Sequence, residues 1–226
     1  MTNTRRHAAL AAFAAAGCLL TAAPAYAIIG GSSVNSISDA PWAAQIRFNG
    51  GNSHCSGALI APQWVLTAGH CKASDDYVLL GSVTKGKGTQ ISTDKQLQPN
   101  GEDILLLHLT KPYNTTYAKY GSSSDRPADG KSVTAYGYGD TDNNGGKSTT
   151  LKTCTMNVKD DNASDDANGH VIQLTKGSGI SSKGDSGGPA FYGGVIVGTD
   201  SRGTDTVKDY SDITAYHSWI AQTIGS

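Results

Sequence analysis

The chain has 226 residues, enough for one large all-β domain or two small ones. Charged residues make up 16% of it and glycine 28 positions, a composition suited to many short strands joined by tight turns and unsuited to a helical protein. The formal net charge of −1 carries no basic excess, which argues against nucleic acid or an anionic membrane surface as an electrostatic partner.

The first 27 residues read as a separate object. Arg5 and Arg6 give a positive start, residues 8 to 23 are almost wholly apolar, and Ala25-Tyr26-Ala27 forms a small-x-small cleavage site. This is the pattern of a bacterial-type secretory signal peptide. An apolar run of this length falls short of the roughly 20 residues a membrane-spanning helix needs, so no membrane anchor is expected. Gly17-Cys18 could end a lipobox, but the apolar run continues past Cys18 and the Ala-Tyr-Ala site fits ordinary cleavage better. The expected product is a secreted, extracellular chain, residues 28–226. Its loss of Arg5 and Arg6 leaves 16 basic against 19 acidic residues, a net charge of −3. Three cysteines remain, Cys55, Cys71 and Cys154, so one bridge and one free thiol are expected in an oxidising compartment.

From residue 42 the chain reads as short β runs: 42–48, 54–60, 64–68, 77–81, 103–109, 132–138, 151–158, 170–174, 189–192 and 195–201. Turn signals such as Asn49-Gly50-Gly51-Asn52 and Asp142-Asn143-Asn144-Gly145-Gly146 separate them. Many short strands with regular turns indicate a sandwich or barrel. One helix is expected over 214–224, where Tyr216, Trp219, Ile220, Thr223 and Ile224 fall on one face and Asp212 or Thr214 could cap the start. The polar stretch 121–130 marks either a boundary between two β halves or a surface loop.

Three segments carry chemistry: Leu66-Thr67-Ala68-Gly69-His70-Cys71, Glu102-Asp103 followed by Ile104 to Leu107, and Gly184-Asp185-Ser186-Gly187-Gly188-Pro189. With Ile28-Ile29-Gly30-Gly31 at the expected mature start, all four motifs in this order resemble the trypsin/chymotrypsin family of serine endopeptidases. The resemblance spans essentially the whole mature chain. It implies two antiparallel six-stranded β-barrels of the chymotrypsin type with a C-terminal helix, a boundary near 115–130, and a cleft between the barrels.

The residue types suit the chemistry. A serine hydroxyl is a weak nucleophile at neutral pH and needs a base within hydrogen-bond reach. Histidine titrates near the working pH, so it takes a proton and later returns it. A buried carboxylate holds the imidazole in the right tautomer and stabilises the imidazolium. By resemblance His70 is the base, Asp103 the orienting carboxylate and Ser186 the nucleophile. The backbone N–H groups of Gly184 and Ser186 would form the oxyanion hole, each typically worth about 3 kcal/mol. Asp185 would pair with the α-amino group of Ile28. Because the signal cleavage site lies directly before Ile28, signal peptidase itself would release the activating amine.

The resemblance also implies a Cys55–Cys71 bridge, with Cys154 left as a buried free thiol. Ile180 stands at the floor of the primary specificity pocket and Ser182 where a disulfide cysteine is common. Ser201, Arg202 and Gly203 match the strand that binds substrate backbone, with Arg202 in place of the usual aromatic residue. An apolar floor disfavours a cationic P1 side chain, so an uncharged, apolar or small P1 is expected; Lys183 or Lys208 would admit an acidic P1 as the lesser option. His54, His108, His170 and His217 are read as structural. No metal or cofactor is expected, the acidic pairs Asp160-Asp161 and Asp165-Asp166 being read as solvated loop. The expected partners are polypeptide substrates of a monomer. A non-catalytic homologue that binds a peptide or surface partner is the competing reading, and activity on esters alone would use the same residues.

Overall fold

The computed structural model describes residues 28–141 and 146–225; the expected signal peptide, and residues 142–145 of the predicted Asn-Gly turn, lie outside the described residues. In chain order the strands are β1 (Ser32–Ser33), β2 (Ala43–Phe48), β3 (Ser53–Ala61), β4 (Trp64–Thr67), β5 (Tyr77–Leu80), β6 (Thr89–Leu97) and β7 (Leu105–Leu109). After a connection over 110–131 come β8 (Ser132–Gly137), β9 (Lys152–Ser164), β10 (His170–Lys176), β11 (Pro189–Tyr192), β12 (Val195–Gly203) and β13 (Val207–Asp212).

Strands β2 to β7 close on themselves in the order β2-β3-β4-β7-β6-β5. The second ring runs β9-β10-β13-β12-β11-β8, closed by the β8–β9 pairing, with β1 added beside β9. All strand pairings within the rings are antiparallel. The fold is therefore two closed six-stranded barrels, which leave no long sheet edge exposed.

Side-chain alternation explains which face each strand buries. In β9, Cys154, Met156 and Val158 point inward, while Thr155 and Asn157 stay more exposed. The second barrel packs around these with Val133, Ile172, Leu174 and Val197. In β7 both faces are covered. Leu105 and Leu107 fill the first barrel, whereas Ile104 and Leu106 join Tyr138, Leu151, Ile196 and Ile220 in a layer between the barrels. The continuous apolar run 104–107 is thus a strand shared by two cores, and it holds Asp103 at the seam.

The expected helix begins later than its periodicity suggested. Ile213–Tyr216 is a turn of 3-10 helix, and α1 spans His217–Ile224. Asp212 supplies the cap, accepting from Thr214 N at 2.9 Å and Thr214 Oγ1 at 2.6 Å, and so takes the polar start of the pattern out of the α-helix. Among the described residues no helix is long and apolar enough to cross a membrane.

Cys55 and Cys71 are bridged, and Cys154 is a buried free thiol whose pKa burial pushes up to about 12. The bridge closes a 16-residue separation and ties the segment carrying His70 to β3. Replacing both cysteines with serine is expected to cost about 3 kcal/mol, read as a lower midpoint in urea unfolding.

Candidate active site

His70 lies in the single turn Gly69–Cys71 that ends β4, and Asp103 lies just before β7, the neighbour of β4 in the first barrel. The two meet because Gly69 has no side chain: a Cβ there would stand 3.0 Å from Asp103 Oδ1 and collide with the Gln98 amide. Asp103 Oδ1 accepts from the His70 backbone N–H at 2.7 Å, and Oδ2 is 2.8 Å from His70 Nδ1. Ser201 Oγ donates to the same Oδ2 at 2.6 Å. Burial raises the Asp103 pKa, but the hydrogen bonds from His70 and Ser201 outweigh it and leave the carboxylate below its ordinary value. The same bond to Asp103 raises His70, against the opposing effect of burial.

Ser186 comes from the second barrel, on the tight turn before β11. That turn is locked to the first barrel: Ser56 N donates to Ser186 O at 2.8 Å, and Ser56 Oγ donates to Gly184 O at 3.0 Å. Gly187 N donates to Asp200 O at 2.7 Å. Gly184 and Gly187 have φ of +89° and +76°, and a Cβ on either would collide, with His54 Nε2 and Thr67 Oγ1 respectively. The glycines of the motif therefore permit both the turn and its close packing. Among the described residues, Ser186 Oγ and His70 are not hydrogen-bonded, a contact that commonly tightens only when substrate is bound. His70, Asp103, Ser201 and Arg202 line an open cleft of about 690 Å³.

Asp185 is fully enclosed. Gly139 N donates to its Oδ1 and Ser182 N to its Oδ2, both at 2.8 Å. Burial, reinforced by the nearby Asp200 carboxylate, pushes its pKa up to about 8. Ile28 is also wholly buried, in the second barrel's core next to Ile180, but as an ordinary amide of the uncut chain it has no charge to offer Asp185.

Around the expected specificity pocket the fold adds two groups that the sequence did not single out, Ser181 and Asp200. Ile180 is buried, as an apolar floor requires. Beside it, Ser181 Oγ donates at 2.9 Å to Asp200, a second buried carboxylate whose pKa burial lifts to about 6. Lys208 pairs with Gly203 across β12 and β13, and its positive charge acts on Asp200. Arg202 does not point free into the cleft. It is held by Asp165 at 2.5 Å and Asp166 at 3.2 Å, so this acidic pair, expected to be solvated loop, anchors the cleft rim from the β9–β10 hairpin. Asp160, Asp161 and Asp129 come together on the surface elsewhere. His54, read as structural, packs against Gly184.

A trypsin family model matches residues 28–220. Trypsin from Xenopus laevis is 30% identical over 207 residues, covering 80% of this chain and 85% of that protein. An uncharacterized peptidase from Corynebacterium glutamicum (strain R) is 27% identical over 236 residues, covering 99% and 83%. Among solved structures, neuropsin, a serine protease of mouse brain, superposes with a TM-score of 0.76 at 23% identity, covering 87% of this chain and all of that one. The barrels, the motifs and these matches agree: the chain belongs to the trypsin family of serine-type endopeptidases.

Proposed function

We propose that this chain is a secreted endopeptidase that cuts polypeptides through an acyl-enzyme, with Ser186 as nucleophile, His70 as general base and then acid, and Asp103 as orienting carboxylate. The observation that carries the reading is the Asp103 contact set. One carboxylate takes both the backbone N–H and Nδ1 of His70, at 2.7 and 2.8 Å, which leaves Nε2 as the proton acceptor facing the cleft. Ser186 Oγ gives its proton to Nε2 as it attacks the scissile carbonyl. The N–H groups of Gly184 and Ser186 take the oxyanion. The imidazolium then protonates the leaving amine, and water repeats the sequence on the ester. A fluorophosphonate probe separates this from a non-catalytic homologue: labelling lost in Ser186→Ala is the expected result, and no labelling of the folded protein starting at Ile28 would sink it.

The P1 preference we infer is uncharged, apolar or small. Ile180 offers no counter-charge at the floor, and the charges of Asp200 and Lys208 oppose one another across the wall, so neither a cationic nor an acidic P1 gains a net partner. Two outcomes test this. A library varied at P1 should disfavour Arg and Lys by 10-fold or more against small or apolar residues, an order of magnitude corresponding to about 1.4 kcal/mol. Lys208→Ala, which removes one of the positive charges acting on Asp200, should raise cleavage after Arg and Lys. A wild-type preference for Arg or Lys refutes the inference. Secretion is supported by the leader pattern, and N-terminal sequencing of the exported protein should read Ile-Ile-Gly-Gly.

A further inference from the structure

A second recess, of about 400 Å³, is lined in part by His54, which abuts Gly184, and shares no lining residue with the open cleft. Arg47, His54, Lys85 and Lys147 line it, with Asn52 and Thr84. Its charge is unbalanced. Arg47 Nε and Lys85 Nζ are buried with no hydrogen-bond partner among the described residues. Two described acids act on Lys85: Asp140, whose Oδ1 stands 4.0 Å from Lys85 Nζ and has no hydrogen-bond partner among the described residues, and the buried Asp185. Among the described residues, Arg47 Nη2 donates to a carbonyl, Gly51 O, at 2.5 Å. His54 is kept neutral, its pKa pushed down to about 4 by burial and by Lys85, Arg47 and Lys147, so it adds a polar wall and no charge. Arg47 and Lys85, each with a buried nitrogen that lacks a hydrogen-bond acceptor, and the exposed Lys147 at the rim make the recess one that an entering anion would stabilise.

The position of the recess says which part of a substrate meets it. A chain lying along Ser201–Gly203 on the Asp103 side presents its scissile carbonyl to Gly184 and Ser186. Its leaving half must then continue past Gly184, and His54 packs directly on that glycine. Building on the endopeptidase reading, we propose that this recess is an acid-selective subsite for the leaving half of the substrate. It would bind the carboxylate of an Asp or Glu placed one to three residues after the scissile bond, through Lys85, Arg47 and Lys147.

The test uses internally quenched peptides that differ only in Glu, Ala or Lys at each of the three positions after the cut. Glu at one of them should raise kcat/KM about tenfold over Ala, and Lys there should lower it. The Glu/Ala ratio should fall toward one in the K85Q/K147Q variant. It should also fall in the unaltered enzyme at about 1 M NaCl, where charge attraction is screened beyond about 3 Å, a readout that needs no variant to fold. A ratio at or below one at all three positions, or one indifferent to both changes, overturns the proposal. Fluorophosphonate labelling of the same preparation tells the two readings apart. A labelled enzyme without the preference loses only the subsite, whereas a folded protein that neither labels nor cuts loses the endopeptidase reading and the subsite with it.

Discussion

Replacing Ser186 with alanine is expected to lower kcat/KM for a good peptide substrate by a factor on the order of 10⁶, and adding His70→Ala should lower it little further. The two side chains act as one unit, since each is useless to the attack without the other. Asp103→Asn should cost about 10⁴ for a different reason. Asp103 accepts from His70 N, His70 Nδ1 and Ser201 Oγ, three donors on two oxygens. An amide nitrogen in place of either oxygen meets a donor with a donor. The ring then accepts at Nδ1 and carries its proton on Nε2, where it blocks the attack. The pH profile gives an independent check. The base must be neutral to work, and the bond to Asp103 raises the His70 pKa above its ordinary value. Activity should therefore rise through a midpoint above about 6.5 in the parent enzyme, and that midpoint should move down in Asp103→Asn. An unchanged midpoint in the variant would place the titrating base elsewhere.

Short apolar runs and turns made an all-β sandwich or barrel legible, and the family resemblance of the motifs narrowed it to two closed barrels. What escaped was set by pairing and not by pattern. Strand β6 has only Ile91 buried among nine residues, and β13 reads as Val-Lys-Asp-Tyr-Ser-Asp. Neither carries a hydrophobic alternation, and each forms because its neighbours, β5 and β7 or β10 and β12, leave a row of backbone groups to satisfy. Asp103 reads as part of a strand but lies ahead of it, released by Gly69 to reach His70. The candidate catalytic residues were legible because their motifs are local. The recognition surfaces were not, because each is assembled from distant segments. Asp200 is a wall group only once β12 is laid beside Ser181, 19 residues earlier. Arg202 is tied down by a hairpin 37 residues away. Lys85 and His54 share a recess because β3 and the loop after β5 come together in space, something no spacing in the sequence encodes.

The second large effect concerns Asp185. In the uncut chain its surroundings favour the neutral acid, with the pKa moved from 3.8 to about 8. Below about pH 4 the group is protonated both folded and unfolded and contributes nothing to the pH dependence. Between about 4 and 8 the unfolded chain has lost the proton and the folded chain keeps it, so stability falls as pH rises, by about 1.4 kcal/mol per pH unit at the steepest. Above 8 the loss is complete, and even half of the full span is a large share of the roughly 5–15 kcal/mol that holds a domain together. Cutting before Ile28 changes the sign of the local argument. A free ammonium there, brought to Asp185, gives the buried carboxylate the partner that Gly139 and Ser182 alone do not supply. If that pair forms as proposed, the ionised form would be favoured and the turn from Asp185 to Ser186 would be fixed by it. Asp200, lifted to about 6, faces the same region, adds a slope of its own, and is coupled to Asp185 by charge. Urea unfolding of the chain retaining residues before Ile28 should therefore lose midpoint steadily from pH 4 to 8, while the chain beginning at Ile28 should lose distinctly less. The same pair should differ in activity by 100-fold or more, since a turn lacking its ion pair presents the oxyanion donors poorly and one such donor is worth about 10²–10³. Parallel stability slopes together with equal activities would show that Asp185 does its work without the Ile28 amine.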